Sequence, residues 1–307
     1  MYIGIDIGGT KTKFGMIDTK GNVVDRKIMD TNYDKEAYLD ALTKEIQEYA
    51  TAYSVAGVGI SAPGIIDKTG YMRTAGSIKS LYGTNLKSEL ETRIGLPVVV
   101  ENDANAAALA ERWIGNAVGI DNYLCLVLGT GVGGGIVING KIYRGAHGMA
   151  GEFGWMVIDE PTESEELETA SINQRGAVVM GLLAHFNRAK KEAEPKHEKI
   201  TDARIIFDTQ ADDPIARSVA KQYYYDLSIS MLNLISCFDP ELILIGGAIS
   251  ENVTFMTELQ KTLAETKDRH QSIAYLDSED VAPVKAAKLK NDAGMIGAVY
   301  SLLTKGA

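Results

Sequence analysis

Along the chain, short apolar runs end again and again in glycine or small polar residues. Between them lie longer stretches whose apolar residues fall three and four apart. Tyr2 to Ile7 is apolar enough for a central strand, and Thr12 to Ile17 resumes strand character before a turn at Thr19 to Asn22. This opening reads as a hairpin with a glycine-rich tip. Lys35 to Tyr53 carries Ala37, Tyr38, Leu42, Ile46 and Tyr49 near helical spacing and predicts an amphipathic helix. Val55 to Ile60 predicts a strand that closes on Ser61-Ala62-Pro63-Gly64, and Leu81 to Arg93 predicts a helix. Val98-Val99-Val100 then reads as a buried strand. It ends at Glu101-Asn102-Asp103, where the pattern switches at once to a helix rich in alanine (Ala104, Ala106, Ala107, Ala108, Ala110).

A second series begins after Gly119. Tyr123 to Leu128 predicts a strand, Gly129 to Gly135 a glycine loop, Ile136 to Ile138 a strand and Asn139-Gly140 a turn. Gly145 to Gly154 reads as a glycine-rich loop, Asp159 to Glu168 as an exposed acidic segment and Gly176 to Lys191 as a helix. Ile215 to Phe238 is a long helical pattern stopped by Asp239-Pro240. Leu242 to Ile245 predicts a strand into Gly246-Gly247, Phe255 to Thr266 a helix, and Met295 to Leu303 a closing apolar helix. The recurring order of strand, glycine turn and helix predicts an α/β protein. Strand, glycine loop with threonine, strand and turn occurs once near residue 6 and once near residue 129, a weak internal repeat that suggests two related halves.

Composition narrows the function classes. The 307 residues suffice for two domains, and 45% hydrophobic with 23% charged residues is ordinary for a globular protein. A formal net charge of −10 argues against a nucleic-acid surface. No apolar run approaches the ~18 residues of a membrane span. The chain opens directly on a strand, with no basic-then-apolar leader. Cys125 and Cys237 each lie in an apolar run and read as buried free thiols, which suits a reducing compartment. The expectation is a cytoplasmic protein.

Candidate chemistry sits at strand ends. Asn102 and Asp103 fall at a strand-to-helix junction, where open α/β sheets bind ligands and where a helix start leaves N–H groups free. On these residues alone Asp103 reads more readily as an N-cap, and the other glycine motifs of the chain reverse that weighting. In Asp6-Ile7-Gly8-Gly9-Thr10-Lys11 the glycines allow backbone N–H groups to approach a ligand, and Thr10 and Lys11 add a hydroxyl and a cation. An ordinary hairpin turn is the alternative. The run is no Walker A loop, because a strand rather than a helix follows. Gly129-Thr130-Gly131-Val132-Gly133-Gly134 fits the dinucleotide fingerprint by letter, yet it too is followed by a strand and a turn, so a nicotinamide enzyme is set aside.

The ordered set DIGGTK (6–11), SAPG (61–64), ENDANAAALAE (101–111), GTGVGGG (129–135), GEFG (151–154), IGG (245–247) and DAGMIGA (292–298) resembles the ROK family of sugar kinases and sugar-responsive repressors, over nearly the whole chain. The resemblance implies a two-domain α/β, actin/hexokinase-like (ribonuclease H-like) fold with an interdomain cleft. The implied domains are residues 1–118 and 119–293, with the closing helix of 294–307 packed back on the first. It implies ATP and Mg²⁺ as cofactors, a small sugar as substrate, no nucleic acid or membrane partner, and a homodimer.

By matching motif, Asp103 looks like the catalytic base. Asn102 and Glu152 look like sugar-hydroxyl ligands, with Ser61, Pro63 and Gly64 on the same substrate side. Gly8, Gly9, Thr10 and Lys11, flanked by Ile5 and Ile7, and Thr130, Gly131 and Gly133 look like phosphate loops. Gly246 and Gly247 look like the adenosine side, and Asp6 looks like a residue that helps hold Mg²⁺ through water. Zinc-bearing relatives have a His after Gly-Glu-x-Gly and then a cysteine cluster. Here Trp155 stands at the His position and Asp159 to Arg175 has no cysteine, so no structural zinc is expected. The family's second sugar-binding Glu falls at Leu167, with Glu168 one residue off register. These departures look most like the bacterial β-glucoside kinase branch. That implies phosphorylation of a 6-hydroxyl on a glucoside such as cellobiose, with Trp155 lying against the group on the anomeric oxygen. Glucokinase and N-acetylmannosamine kinase are the rival substrate readings. A non-enzymatic sugar-sensing regulator is the rival of another class; family repressors carry a helix-turn-helix before the first glycine loop, and five residues precede Asp6 here.

Overall fold

The structure, a computed structural model, describes residues 1–304 except Thr162 and Glu165. In chain order the elements are β1 (Tyr2–Ile7), β2 (Lys11–Ile17), β3 (Val23–Asp30), α1 (Lys35–Ala52), β4 (Val58–Ala62), β5 (Tyr71–Met72), β6 (Thr84–Asn85), α2 (Leu86–Ile94), β7 (Val98–Asn102) and α3 (Asp103–Ile114). They continue with β8 (Tyr123–Leu128), β9 (Val132–Ile138), β10 (Lys141–Ile142), α4 (Ile172–Gly176), α5 (Ala184–Ala193), α6 (Arg204–Thr209), α7 (Pro214–Phe238), β11 (Leu242–Gly246), α8 (Val253–Asp268), β12 (Val284–Ala286) and α9 (Ala293–Leu303). The chain divides into two units, Met1–Asp121 with Gly135–Ala150 and Lys288–Ala307, and Asn122–Gly134 with Gly151–Ala287.

In the first unit, strand alternation separates two faces of a sheet ordered β3-β2-β1-β4-β7. Ile3, Ile5 and Ile7 share one core with Phe14, Met16, Val58 and Ile60, and with Tyr38, Leu39, Leu42 and Ile46 of α1 and Leu86 and Leu90 of α2. On the other face lie α3 and α9, where Ile17, Ala110, Met295, Ile296 and Val299 form a second cluster. That face is lined with glycine because α9 comes close. A Cβ on Gly4 would sit 2.7 Å from the Met295 carbonyl oxygen, and one on Gly59 would sit 2.4 Å from that of Ala298. The alanines of α3 have the same origin: Ala106, Ala108 and Ala110 are wholly buried, and a Cβ on Gly297 of α9 would lie 1.7 Å from the Ala106 carbonyl oxygen. Small residues let the two helices meet nearly backbone to backbone.

The second sheet is ordered β10-β9-β8-β11-β12. β11 runs parallel to both β8 and β12, as β4 runs parallel to β1 and β7 in the first sheet. Asn139 and Gly140 turn β9 into β10 with φ of 52° and 73°, the left-handed pair that a two-residue hairpin requires. In the second unit α7 is bordered by an aromatic group: Phe255 of α8 lies 5.7 Å from Phe207 and 5.9 Å from Tyr224, ring centre to ring centre.

Several elements differ from the sequence expectation. The glycines Gly133, Gly134 and Gly135 are strand, not loop, because β9 begins at Val132. The helix expected from Leu81 begins only at Leu86: Gly83 takes a φ of 72°, Thr84–Asn85 pairs with β5, and Asn85 caps α2 through Ser88 N–H. β4 starts at Val58 and runs through Ser61 and Ala62. The stretch from Gly176 splits, with a π-helical turn over Val178–Leu183 before α5. β3, β12 and α6 carried no clear apolar period; β3 is an edge strand with only partial burial. Cys125 is buried, but Cys237 is exposed, because the last turn of α7 faces solvent. Residues 305–307 of the closing segment lie outside the described residues, as do Thr162 and Glu165 of the acidic segment. Among the described residues no helix is long and apolar enough to cross a membrane.

Candidate active site

In the first unit, strand pairing alone sets the candidate residues side by side. Asp6 pairs with Ser61 across β1 and β4, and Ala62 pairs with Asn102 across β4 and β7. All three strands are parallel, so Asp6, Ser61 and Asn102 stand at one carboxyl edge. Asn102, not Asp103, caps α3. Its side-chain oxygen accepts from Ala104 N–H at 2.9 Å and Asn105 N–H at 3.1 Å, while its amide donates to the Gly64 carbonyl at 3.0 Å. Capping by Asn102 leaves Asp103 in the first turn with a solvent-accessible carboxylate. Its Oδ1 accepts from Ala104 N–H at 2.8 Å. Crowding by protein raises the Asp103 carboxyl to about 6, the Asp6 charge pushes the same way, and the Ala104 N–H opposes.

Glu101 fixes this junction from below. The carboxylate is buried and ion-paired with Arg144, and it accepts from Asn102 N–H at 3.2 Å, Asn105 Nδ2 at 3.2 Å and Ser301 Oγ at 3.3 Å. One carboxylate thus ties the end of β7 to α3, α9 and the chain after β10. Asp6 accepts from Ser61 Oγ at 3.0 Å and faces Lys13 Nζ at 3.3 Å. A carboxylate offers about four acceptor directions. Two are used here, and a side chain 22% exposed leaves the remainder within reach of water. Asp6 therefore fits a divalent cation held through water. Lys11, expected at the phosphates, pairs on the surface with Asp30 at 2.5 Å.

In the second unit the strand ends likewise gather the candidates. β8 ends at Leu128 beside β11, where Gly246 pairs with Val127. Gly247 has a φ of 89°, and a Cβ there would sit 2.1 Å from the Leu128 carbonyl oxygen, so only glycine fits. The tip Gly129-Thr130-Gly131 closes on itself through Gly129 N–H to Gly131 O at 2.9 Å. Asn173 holds its far side, accepting from Val132 N–H at 2.8 Å. The same Asn173 oxygen lies 2.3 Å from where a Cβ on Gly154 would sit, and its amide donates to Glu168 at 3.3 Å. Glu152 precedes the short turn Phe153–Trp155, whose Trp155 N–H returns to the Glu152 carbonyl at 3.1 Å. The Trp155 ring is 50% exposed. Among the described residues no group of three or more His, Cys, Asp or Glu side chains is gathered for a metal ion.

The structure therefore brings Asp6, Ser61, Pro63, Gly64, Asn102 and Asp103 into the first unit. Thr130, Gly131, Gly133, Glu152, Trp155, Gly246 and Gly247 belong to the second. Sequence reasoning missed Lys13, Glu101, Arg144 and Asn173. Asp6 and Lys13 are directly opposite because the hairpin turns at Gly9-Thr10, with Gly8 N–H on Lys11 O; a turn at Gly8-Gly9 would have set Lys11 there instead. Arg144 and Asn173 act through long-range contacts and leave no local signal.

Comparison with known proteins matches the ROK family profile over residues 2–305. The chain is 36% identical over 300 residues to a β-glucoside kinase of Listeria innocua, covering 97% of this chain and 96% of that one. Among solved structures, a ROK family glucokinase of Streptomyces griseus in complex with glucose and AMPPNP superposes with a TM-score of 0.79 at 29% identity, over 97% of each chain. A ROK family protein of Streptococcus pneumoniae in complex with sucrose gives a TM-score of 0.86 at 27% identity, over 99% of this chain and 98% of that one.

Proposed function

The chain belongs to the ROK family of sugar kinases with the actin/hexokinase-like fold, and we propose that it transfers the γ-phosphoryl group of ATP to the 6-hydroxyl of a glucosyl sugar, with a β-glucoside such as cellobiose as its best acceptor. The observation that carries the chemistry is Asp103. It stands in the first turn of α3 beside Asn102, freed from capping, with a carboxyl raised to about 6. A sugar hydroxyl is a poor nucleophile, and a general base works best with a pKa near the working pH. Asp103 is ionised at neutral pH and only weakly acidic once protonated, so it can take the hydroxyl proton as the phosphoryl group arrives.

Asn102 and Glu152 are the proposed sugar-hydroxyl ligands, with Ser61, Pro63 and Gly64 on the sugar side. The tips at Gly8-Gly9-Thr10 and Gly129-Thr130-Gly131 present backbone N–H groups to phosphate, and Gly246 and Gly247 bound the adenosine. Asp6 is the proposed residue for Mg²⁺ through water, with Lys13 beside it; the ion supplies neutralising charge for the phosphates. Trp155 supports the β-glucoside reading. In the hexose kinases with a His at that position, a hydrogen bond to the free anomeric hydroxyl penalises any analogue that lacks it. A half-exposed indole carries no such penalty and offers a flat apolar face to a second sugar.

The test is kcat/KM for glucose, methyl β-glucoside and cellobiose in a coupled ADP-release assay. The glycosides are expected to equal or exceed glucose. A preference for glucose of about a hundredfold, a discrimination of the size that a pocket contact supplies, overturns the β-glucoside reading and leaves a hexose kinase in its place.

A further inference from the structure

The tip Gly8-Gly9-Thr10 has three consecutive carbonyls, and one short segment, Thr31-Asn32-Tyr33, binds them all. Thr31 Oγ1 donates to Gly8 O at 2.7 Å, Tyr33 OH donates to Gly9 O at 2.7 Å, and Thr31 N–H donates to Thr10 O at 3.0 Å. In a trans peptide the N–H points away from the C=O. Binding the Gly8 and Gly9 carbonyls from one side therefore turns the N–H groups of Gly9 and Thr10 to the other. Gly8 N–H is already closed on Lys11 O at 3.0 Å, which leaves the next two amides as the outward pair.

A chain of hydroxyls stands behind Thr31. Thr12 Oγ1 lies 2.9 Å from Thr31 Oγ1 and 2.6 Å from Tyr38 OH. Each hydroxyl has one proton to give. Thr31 gives its proton to the Gly8 carbonyl, so Thr12 must donate to Thr31, and Tyr38 must donate to Thr12. Thr12 and Tyr38 are wholly buried and Thr31 nearly so. Burial pushes the Tyr38 hydroxyl up to about 12, which keeps its proton in place. The second hairpin tip repeats the arrangement with backbone donors. Val178 N–H and Val179 N–H bind Gly129 O at 3.0 and 3.2 Å, and Met180 N–H binds Thr130 O at 3.3 Å. In both halves of the repeat, then, the tip carbonyls are occupied from one side.

We propose that Thr31 and Tyr33 are positioning residues that aim the Gly9 and Thr10 amides at the phosphates of the nucleotide, and so set nucleotide affinity separately from sugar affinity. This rests on the kinase reading above. Tyr33→Phe removes one hydroxyl from a ring that is 55% exposed, so folding is not at risk. Thr31→Val cuts the buried chain at its last link, and Thr31→Ser restores the donor. Calorimetry on the full chain with ADP and AMPPNP gives the nucleotide Kd, and steady-state kinetics give KM for ATP and for sugar. Loss of one such hydrogen bond weakens binding by about three- to tenfold. That rise is expected in nucleotide Kd and in KM for ATP for Tyr33→Phe and Thr31→Val, with recovery in Thr31→Ser and no matching rise in KM for sugar. Unchanged nucleotide affinity in Tyr33→Phe overturns the proposal, as does an equal rise in KM for sugar. A wild-type protein that binds no nucleotide overturns the kinase reading itself, and the proposal with it.

Discussion

Replacing Asp103 by Asn tests the central assignment in two independent ways. The amide is nearly the same shape, and Asn102 still caps α3 through Ala104 and Asn105, so the fold and the Asn102 side chain stay in place. Losing a positioned base lowers turnover by about 10²- to 10⁴-fold. Stability moves the other way. A carboxyl carried from 3.8 to about 6 is held in its charged form at a cost of about 3 kcal/mol at neutral pH if no water reaches it. Asp103 does reach water, which reduces that figure to on the order of 1 kcal/mol. The sign follows from linkage: the folded state holds the proton more tightly than the unfolded one. The penalty is therefore absent below the unfolded pKa of 3.8, grows as pH rises, and is complete above about 6. Asp103→Asn should accordingly be more stable than wild type at pH 8 and equal to it near pH 4, while nearly inactive at both. In the wild type, kcat/KM for sugar should fall as pH drops below about 6, because the base becomes protonated. ADP release at saturating ATP and sugar, with urea midpoints at the two pH values, reads both effects. Wild-type turnover in pure Asp103→Asn refutes the base assignment. A variant less stable than wild type at pH 8 refutes the desolvation argument even if turnover is lost.

Two further outcomes follow from the geometry. Trp155→Ala should reduce kcat/KM for cellobiose by about fivefold while leaving glucose nearly unchanged, since an aromatic contact of this kind is worth about 1 kcal/mol; equal losses on both sugars would show that the half-exposed indole does not meet the second sugar. Gly297→Ala should lower the unfolding free energy by about 2 kcal/mol or more, read as a lower urea midpoint, because the added carbon would lie 1.7 Å from the Ala106 carbonyl and force α9 off α3; an unchanged midpoint would mean the helices can part at no cost.

The fold class was legible because its signals are local. Apolar runs of strand length in β1, β4, β7, β8 and β11, each closed by glycine or a small polar residue, mark strands whatever packs on them. The long helices α1, α7 and α8 have caps or stops in their own sequence: Asp34, Asp213 and Asn252 accept helix N–H groups, and Asp239 turns left-handed after α7. The duplicated hairpin was legible as repeated letters, and the two sheets share the pattern of a fourth strand flanked by parallel neighbours. Edge and short elements were not. β3 alternates too weakly, and β5, β6 and β12 are two or three residues long, so that pairing and not propensity makes them strands.

For the site, the sequence by itself determined the letters at strand ends: Asp6, Asn102-Asp103, the glycine tips, and Gly247, whose φ of 89° favours glycine. Tertiary structure decided their roles. Nothing local tells which of Asn102 and Asp103 caps α3. That choice is made where the Asn102 amide finds the Gly64 carbonyl 38 residues away in the chain. Nothing local makes Lys13, rather than Lys11, the cation beside Asp6; the strand register does. Glu101 looked like an ordinary strand end, and its buried carboxylate has meaning only because Arg144 and Ser301 reach it from distant segments. A buried charge must be satisfied by whatever the fold brings near it, and no window of sequence contains that partner.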